Sequence, residues 1–207
     1  MVSFHLVYFE QLHPFCKQVV YAFHMPVFLI LSGYLMNIEK GAKKFARTIM
    51  YYALPYLLIE SGYIVMASAL PIREHISELT PTVFLSTLLT RPIGPYWYLH
   101  AIIVFGVVYY SIFKIKRANF VSRIILCGII VVALSVAIKS FTPYHAVFFF
   151  AGATLRHCKA NFVSAFRPSI LAPVALVLLA LCPRNLVYGA VGQLFVVYAS
   201  VSPRCCF

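Results

Sequence analysis

Tyr21-Ala-Phe-His-Met-Pro-Val-Phe-Leu-Ile-Leu-Ser-Gly-Tyr-Leu-Met36 is an apolar run of membrane-helix length that carries a histidine, a proline and a Ser-Gly-Tyr triplet. A passive anchor needs none of these. Polar and helix-perturbing residues are costly against acyl chains, so their clustering in one span places that span against protein or water. Pro26 cannot donate to the carbonyl one turn upstream, at Ala22, and it bends the helix there. His24 then has two readings. It lines a polar pocket at the bend, or its ring satisfies the loosened backbone. Ser32 and Tyr34 are pocket candidates on the same run, whereas Ser32-Gly33 also reads as a point of close helix packing, which small residues permit.

The rest of the chain supports a membrane setting. Of 207 residues, 62% are hydrophobic and 11% charged, with a mean hydropathy of +0.90. Soluble domains carry about 25% charged residues. The expected fold class is therefore all-α, a polytopic transmembrane bundle. The net charge of +12 comes from basic residues in short clusters between apolar runs. That spacing fits the positive-inside pattern better than a phosphate-tracking face, so no nucleic-acid partner is expected. The six cysteines are scattered, without CxxC or Cys/His metal spacing, so neither a disulfide framework nor a metal site is expected. The sequence contains no aspartate, which excludes a Ser-His-Asp triad, and it has no G-x-S-x-G, Walker or HExxH motif.

About seven to eight membrane helices are predicted, the first incomplete. Val2 to Phe9 is too short to cross the bilayer, since eight helical residues reach about 12 Å against roughly 30 Å of hydrocarbon. The chain is thus expected to begin partway through a helix and to stop short at its C-terminal end. Further spans are placed at Val19–Met36, Thr48–Leu70, Tyr96–Phe113, Ile124–Ile138, Phe141–Leu155, Ile170–Cys182 and Leu186–Val201. Ile38 to Arg47 reads as a basic loop and Pro71 to Pro95 as a longer polar segment. With the loop after the second span in the cytoplasm, twelve basic residues fall on that side and five on the other. No linker or repeat divides the chain, so residues 1–207 are read as one membrane-embedded domain.

Several residues within or beside these spans carry chemistry. His5 lies in the partial first span, and a neutral imidazole takes a proton near neutral pH. Its alternative role is a hydrogen bond inside the bundle. Lys44 and Arg47, three apart, share a helix face next to Lys43. They serve topology or bind a phosphorylated cytosolic ligand such as coenzyme A. Glu60 lies mid-span and must be paired, protonated or wet. His100 is a further candidate of that kind. Trp97 belongs to an aromatic cluster with Tyr96 and Tyr98. His75, His145 and His157 lie at loop ends and carry little weight.

Phe23-His24-Met25-Pro26-Val27-Phe28 with Ser32-Gly33-Tyr34-Leu35 resembles the second-helix motif of acyltransferase family 3, integral membrane O-acyltransferases of bacterial surface sugars. Lys44-Phe-Ala-Arg47 with Pro55-Tyr56 is similar to the basic pair and Pro-Tyr of the family's third helix. Pro95-Tyr96-Trp97-Tyr98-Leu99 is similar to its Trp-Phe-Leu segment. Phe148-Phe-Phe-Ala-Gly152, ending in Leu155-Arg156, is similar to its Phe-rich helix with a basic exit. The four matches occur in the family's order from Tyr21 to Arg156.

The resemblance implies a bacterial cytoplasmic (inner) membrane enzyme that transfers an acyl group, acetyl above all, from acyl-CoA to a sugar hydroxyl. Its partners would be the bilayer and a carbohydrate acceptor, with no metal required. His5 falls where the family carries its catalytic histidine, and the family's first-helix arginine would lie before Met1. His24 would assist, and Lys44 and Arg47 would hold acetyl-CoA. Two other readings fit the sequence: a truncated, inactive remnant, and a proton-coupled transporter using Glu60 and the histidines.

Overall fold

A computed structural model of the chain describes residues 14–158, apart from 72–73, 94–95, 116–118 and 139–140, together with Val174; side chains are described from His24 onward. The described residues form six helices and no strand: α1 Pro14–Leu35, α2 Ala42–Ala69, α3 Pro81–Thr90, α4 Trp97–Phe113, α5 Phe120–Ala137 and α6 Pro143–His157. The first and eighth spans expected from the sequence, and the seventh apart from Val174, lie outside the described residues. The contacts divide the chain into two compact units, Met36–Val147 and Met1–Leu35 with Phe148–Phe207.

In the Met36–Val147 unit, α4 packs against α2 and α5, and α3 packs on α2. The buried positions of α2 are Phe45, Tyr56, Glu60, Ile64 and Ala67. From Tyr56 onward their spacing of four, four and three makes one stripe. Outside that stripe the helix is equally apolar, with Leu58 74% exposed and Met50, Leu54, Val65 and Met66 also outward. α5 behaves alike: Cys127 and Val131 face inward, while Ile125, Ile129, Val132 and Val136 lie outside, Val136 at 81%. Both helices are long and apolar enough to cross a membrane. A helix apolar on its outward face as well as its inward one is stable in lipid, where water does not penalise the exposed surface.

Two boundaries differ from the sequence reading. Lys43, Lys44 and Arg47 belong to the first turns of α2 rather than to a loop, because nothing after Gly41 breaks the helix and charged side chains tolerate its exposed end. The supposed polar stretch Pro71–Pro95 contains α3. Thr80 caps that helix, its hydroxyl oxygen accepting from the Val83 N–H at 3.2 Å, and Pro81 occupies a position where its missing N–H costs nothing. Ten residues reach about 15 Å, half a bilayer. α3 instead lies along α2, Tyr56 donating its hydroxyl to the Leu88 carbonyl at 2.5 Å.

In the Met1–Leu35 and Phe148–Phe207 unit, the described parts of α1 and α6 cross at glycines. A Cβ on Gly33 would collide with the Phe149 carbonyl, and one on Gly152 with the Ile30 carbonyl. Leu29, Ile30, Phe149 and Ala153 are buried at this crossing. Arg156 donates from Nη1 to the Tyr34 carbonyl at 3.0 Å, closing the C-terminal end of α1 with a cation.

Candidate functional site

Tyr56 and Glu60 lie one turn apart on α2, so both project to one side. Pro55, just before them, removes a helix bond at the same level. Tyr56 holds the end of α3 through Leu88, and its ring lies 5.3 Å from that of His100 on α4. Glu60 is 0% exposed. Its Oε1 accepts the Ile93 N–H at 2.7 Å, and Oε2 is buried without a hydrogen-bond partner among the described residues. Ile93 and Tyr96 pack with Leu99 against Tyr56, Ile64 and Leu88.

The start of α4 therefore sits at the level of Glu60, nine residues before the end of α2. That is about 13 Å inside the helix end. Ile93, outside any helix, is covered at this level by Tyr56 and Ile64 of α2, Leu88 of α3 and Leu99 of α4.

Trp97 opens α4. Its ring stacks on His145 at 4.6 Å between centroids and 25° between planes. His145, given little weight at a loop end, is 6% exposed in the first turn of α6. Its Nδ1 accepts from the Thr142 N–H at 3.1 Å, which leaves the ring proton on Nε2. Two residues after Pro143 it resembles any helix entry, and no sequence signal links it to Trp97.

At the other end of α2 the geometry is cationic and aromatic. Phe45 stacks on Tyr110 at 3.9 Å and 12°. The Lys114 ammonium stands 5.2 Å from the Tyr110 ring, and the Tyr110 hydroxyl donates to the Lys40 carbonyl at 3.3 Å. Lys40 reaches the Thr48 hydroxyl at 3.2 Å, and that hydroxyl donates to the Lys44 carbonyl. Lys44 and Arg47 themselves are exposed. Arg123 lies over the Phe113 ring and donates to the Phe113 carbonyl at 3.3 Å. Lys40, Lys114 and Arg123 thus belong to the same basic end as Lys44 and Arg47, the side on which the charge count placed them; the contacts through Tyr110 and Phe113 are what packing adds.

A family model described as an acyltransferase domain matches residues 1–206. The chain belongs to acyltransferase family 3. No curated protein and no solved structure matches it. The family is one of membrane-associated acyltransferases, in agreement with two helices able to span a bilayer.

In this family member the sequence-derived site residues fall in several places. Glu60 and Trp97 belong to the Met36–Val147 unit, where Glu60 accepts the Ile93 N–H four residues before Trp97. Lys44 and Arg47 stand at the opposite end of α2. His24, half-buried with its ring 4.5 Å from Phe28, lies two residues before the buried Pro26 in α1. Ser32 and Tyr34 flank the Gly33 crossing. His5 lies outside the described residues.

Proposed function

We propose that this protein is a membrane O-acyltransferase, embedded as one domain of seven to eight helices in a bacterial cytoplasmic membrane. It moves an acyl group, acetyl by preference, from acyl-CoA to a hydroxyl of a cell-surface sugar or its precursor. The family match over residues 1–206 carries this reading. The basic end of α2 supports it. Lys40, Lys43, Lys44, Arg47, Lys114 and Arg123 cluster with only Glu39 as an acidic neighbour in sequence, and no acidic residue follows Glu78. Such a surface suits the phosphates of acetyl-CoA, and guanidinium and ammonium groups pair with phosphate oxygens.

In this reading His5 is the general base. A sugar hydroxyl ionises far above neutral pH and attacks a thioester usefully only when a placed base takes its proton. The sugar oxygen bonds to the acyl carbon, the carbon–sulfur bond breaks, and the leaving thiolate receives the proton that His5 removed. His24, beside Pro26, polarises the carbonyl through a ring N–H. Ser32, Tyr34, Glu60 and Trp97 are the further pocket candidates of this reading.

The test is transfer of labelled acetyl from acetyl-CoA by membranes containing the chain. His5→Ala should lose about 10²–10⁴ in rate, the usual worth of a general base. Equal, nonzero transfer by wild type and variant would remove His5 from the mechanism.

A further inference from the structure

We propose that Glu60 is the positioning residue that sets Trp97 against His145, by clamping the backbone of the segment that leads into α4. This rests on the proposed site in treating Trp97 and Glu60 as candidates of it. Between Arg91 and Tyr96 the chain reads Pro-Ile-Gly-Pro, and neither proline has an N–H to give. By sequence Ile93 and Gly94 alone carry a backbone N–H there, and Glu60 takes that of Ile93 at 2.7 Å.

The carboxylate is fully buried, and an acid is a costly choice at this depth unless its acceptor function is used. Tyr56, one turn away, fastens the preceding helix at Leu88. The two side chains together tie α3 and the turn after it to α2 at two points five residues apart, Leu88 and Ile93. Trp97 follows four residues later and opens α4, so the Glu60–Ile93 bond fixes the chain shortly before the ring. His145 meets the ring face to face at 4.6 Å.

The sequence contains a single tryptophan, so the intrinsic fluorescence of the whole chain reports on this ring alone. The experiment uses the full chain in lipid nanodiscs, with monodispersity checked for every variant. Glu60→Leu removes the acceptor and should red-shift Trp97 emission and raise its quenching by acrylamide. Glu60→Gln keeps a carbonyl oxygen for Ile93 and should keep the wild-type spectrum. Ile93→Pro removes the donor while leaving Glu60 in place, and should reproduce the Leu spectrum. It carries the test if Glu60→Leu does not fold. An unchanged spectrum in the folded Leu or Pro variant overturns the proposal, as does a Gln spectrum shifted as far as the Leu one. Acetyl transfer separates this role from the site reading: a shifted spectrum with full transfer in Glu60→Leu leaves the clamp standing and removes Trp97 from the site.

Discussion

Tyr56 shows how one atom decides a local arrangement. Its hydroxyl satisfies a carbonyl in the last turn of α3, where helical donors have run out. Tyr56→Phe leaves the Leu88 carbonyl buried without that donor, at a cost of about 1–3 kcal/mol. The expected outcome is a lower thermal midpoint in detergent with the helical content retained, read by circular dichroism. Arg156 acts similarly at the end of α1. Arg156→Met removes the cation from a helix C-terminus, worth about 0.3–1 kcal/mol, and Arg156→Lys should recover part of it. An equal thermal midpoint for all three forms would deny Arg156 this role. Such partners are invisible in sequence: Tyr56 and Leu88 are 32 residues apart, Tyr34 and Arg156 122.

Among the elements, the α1–α6 crossing and the outward face of α5 make opposite demands. At the crossing, backbone meets backbone, and a methyl group at residue 152 would meet the Ile30 carbonyl. Neither helix can yield without moving as a whole. Gly152→Ala is expected to destabilise by about 1–3 kcal/mol, the usual cost of overpacking, seen as a lower yield of monodisperse protein on heating. On α5, Val132 faces outward and is more than half exposed. Val132→Arg should cost about 2.5–3.5 kcal/mol in membrane insertion, measured as the inserted fraction in a glycosylation-tagged translocation assay, whereas Val132→Leu should insert normally. The long apolar helices were legible because their hydropathy runs uninterrupted. α3 was not, because ten residues flanked by prolines and polar groups look like a connection. Its Thr-Pro start was the available signal.

Over the whole molecule, charge is distributed along the chain as unevenly as hydropathy. All acidic residues precede position 79, while basic residues recur to the C-terminus. The basic end built by α2, α4 and α5 should therefore draw anions over a distance set by salt, about 8–10 Å at physiological ionic strength. Replacing Lys44 and Arg47 by alanine is expected to raise the KM for acetyl-CoA by roughly tenfold or more, given about 1.5–3 kcal/mol per charged hydrogen bond. Lys114→Ala should raise it less. In both cases kcat should be nearly unchanged, and the wild-type KM should climb with added salt. A KM indifferent to salt and to these substitutions would remove the donor from this end.

Composition and apolar run length by themselves pointed to an all-helical chain suited to a membrane, and ordered motifs from Tyr21 to Arg156 pointed to the family that residues 1–206 match. Both are local properties, written in stretches of up to about twenty residues. Which polar groups meet was settled only by folding. Glu60 finds Ile93, Trp97 finds His145, and Lys114 joins Lys40 because helices distant in sequence pack side by side. A buried polar atom takes whichever partner packing delivers to it, and that choice leaves no trace in the spacing of residues along one helix.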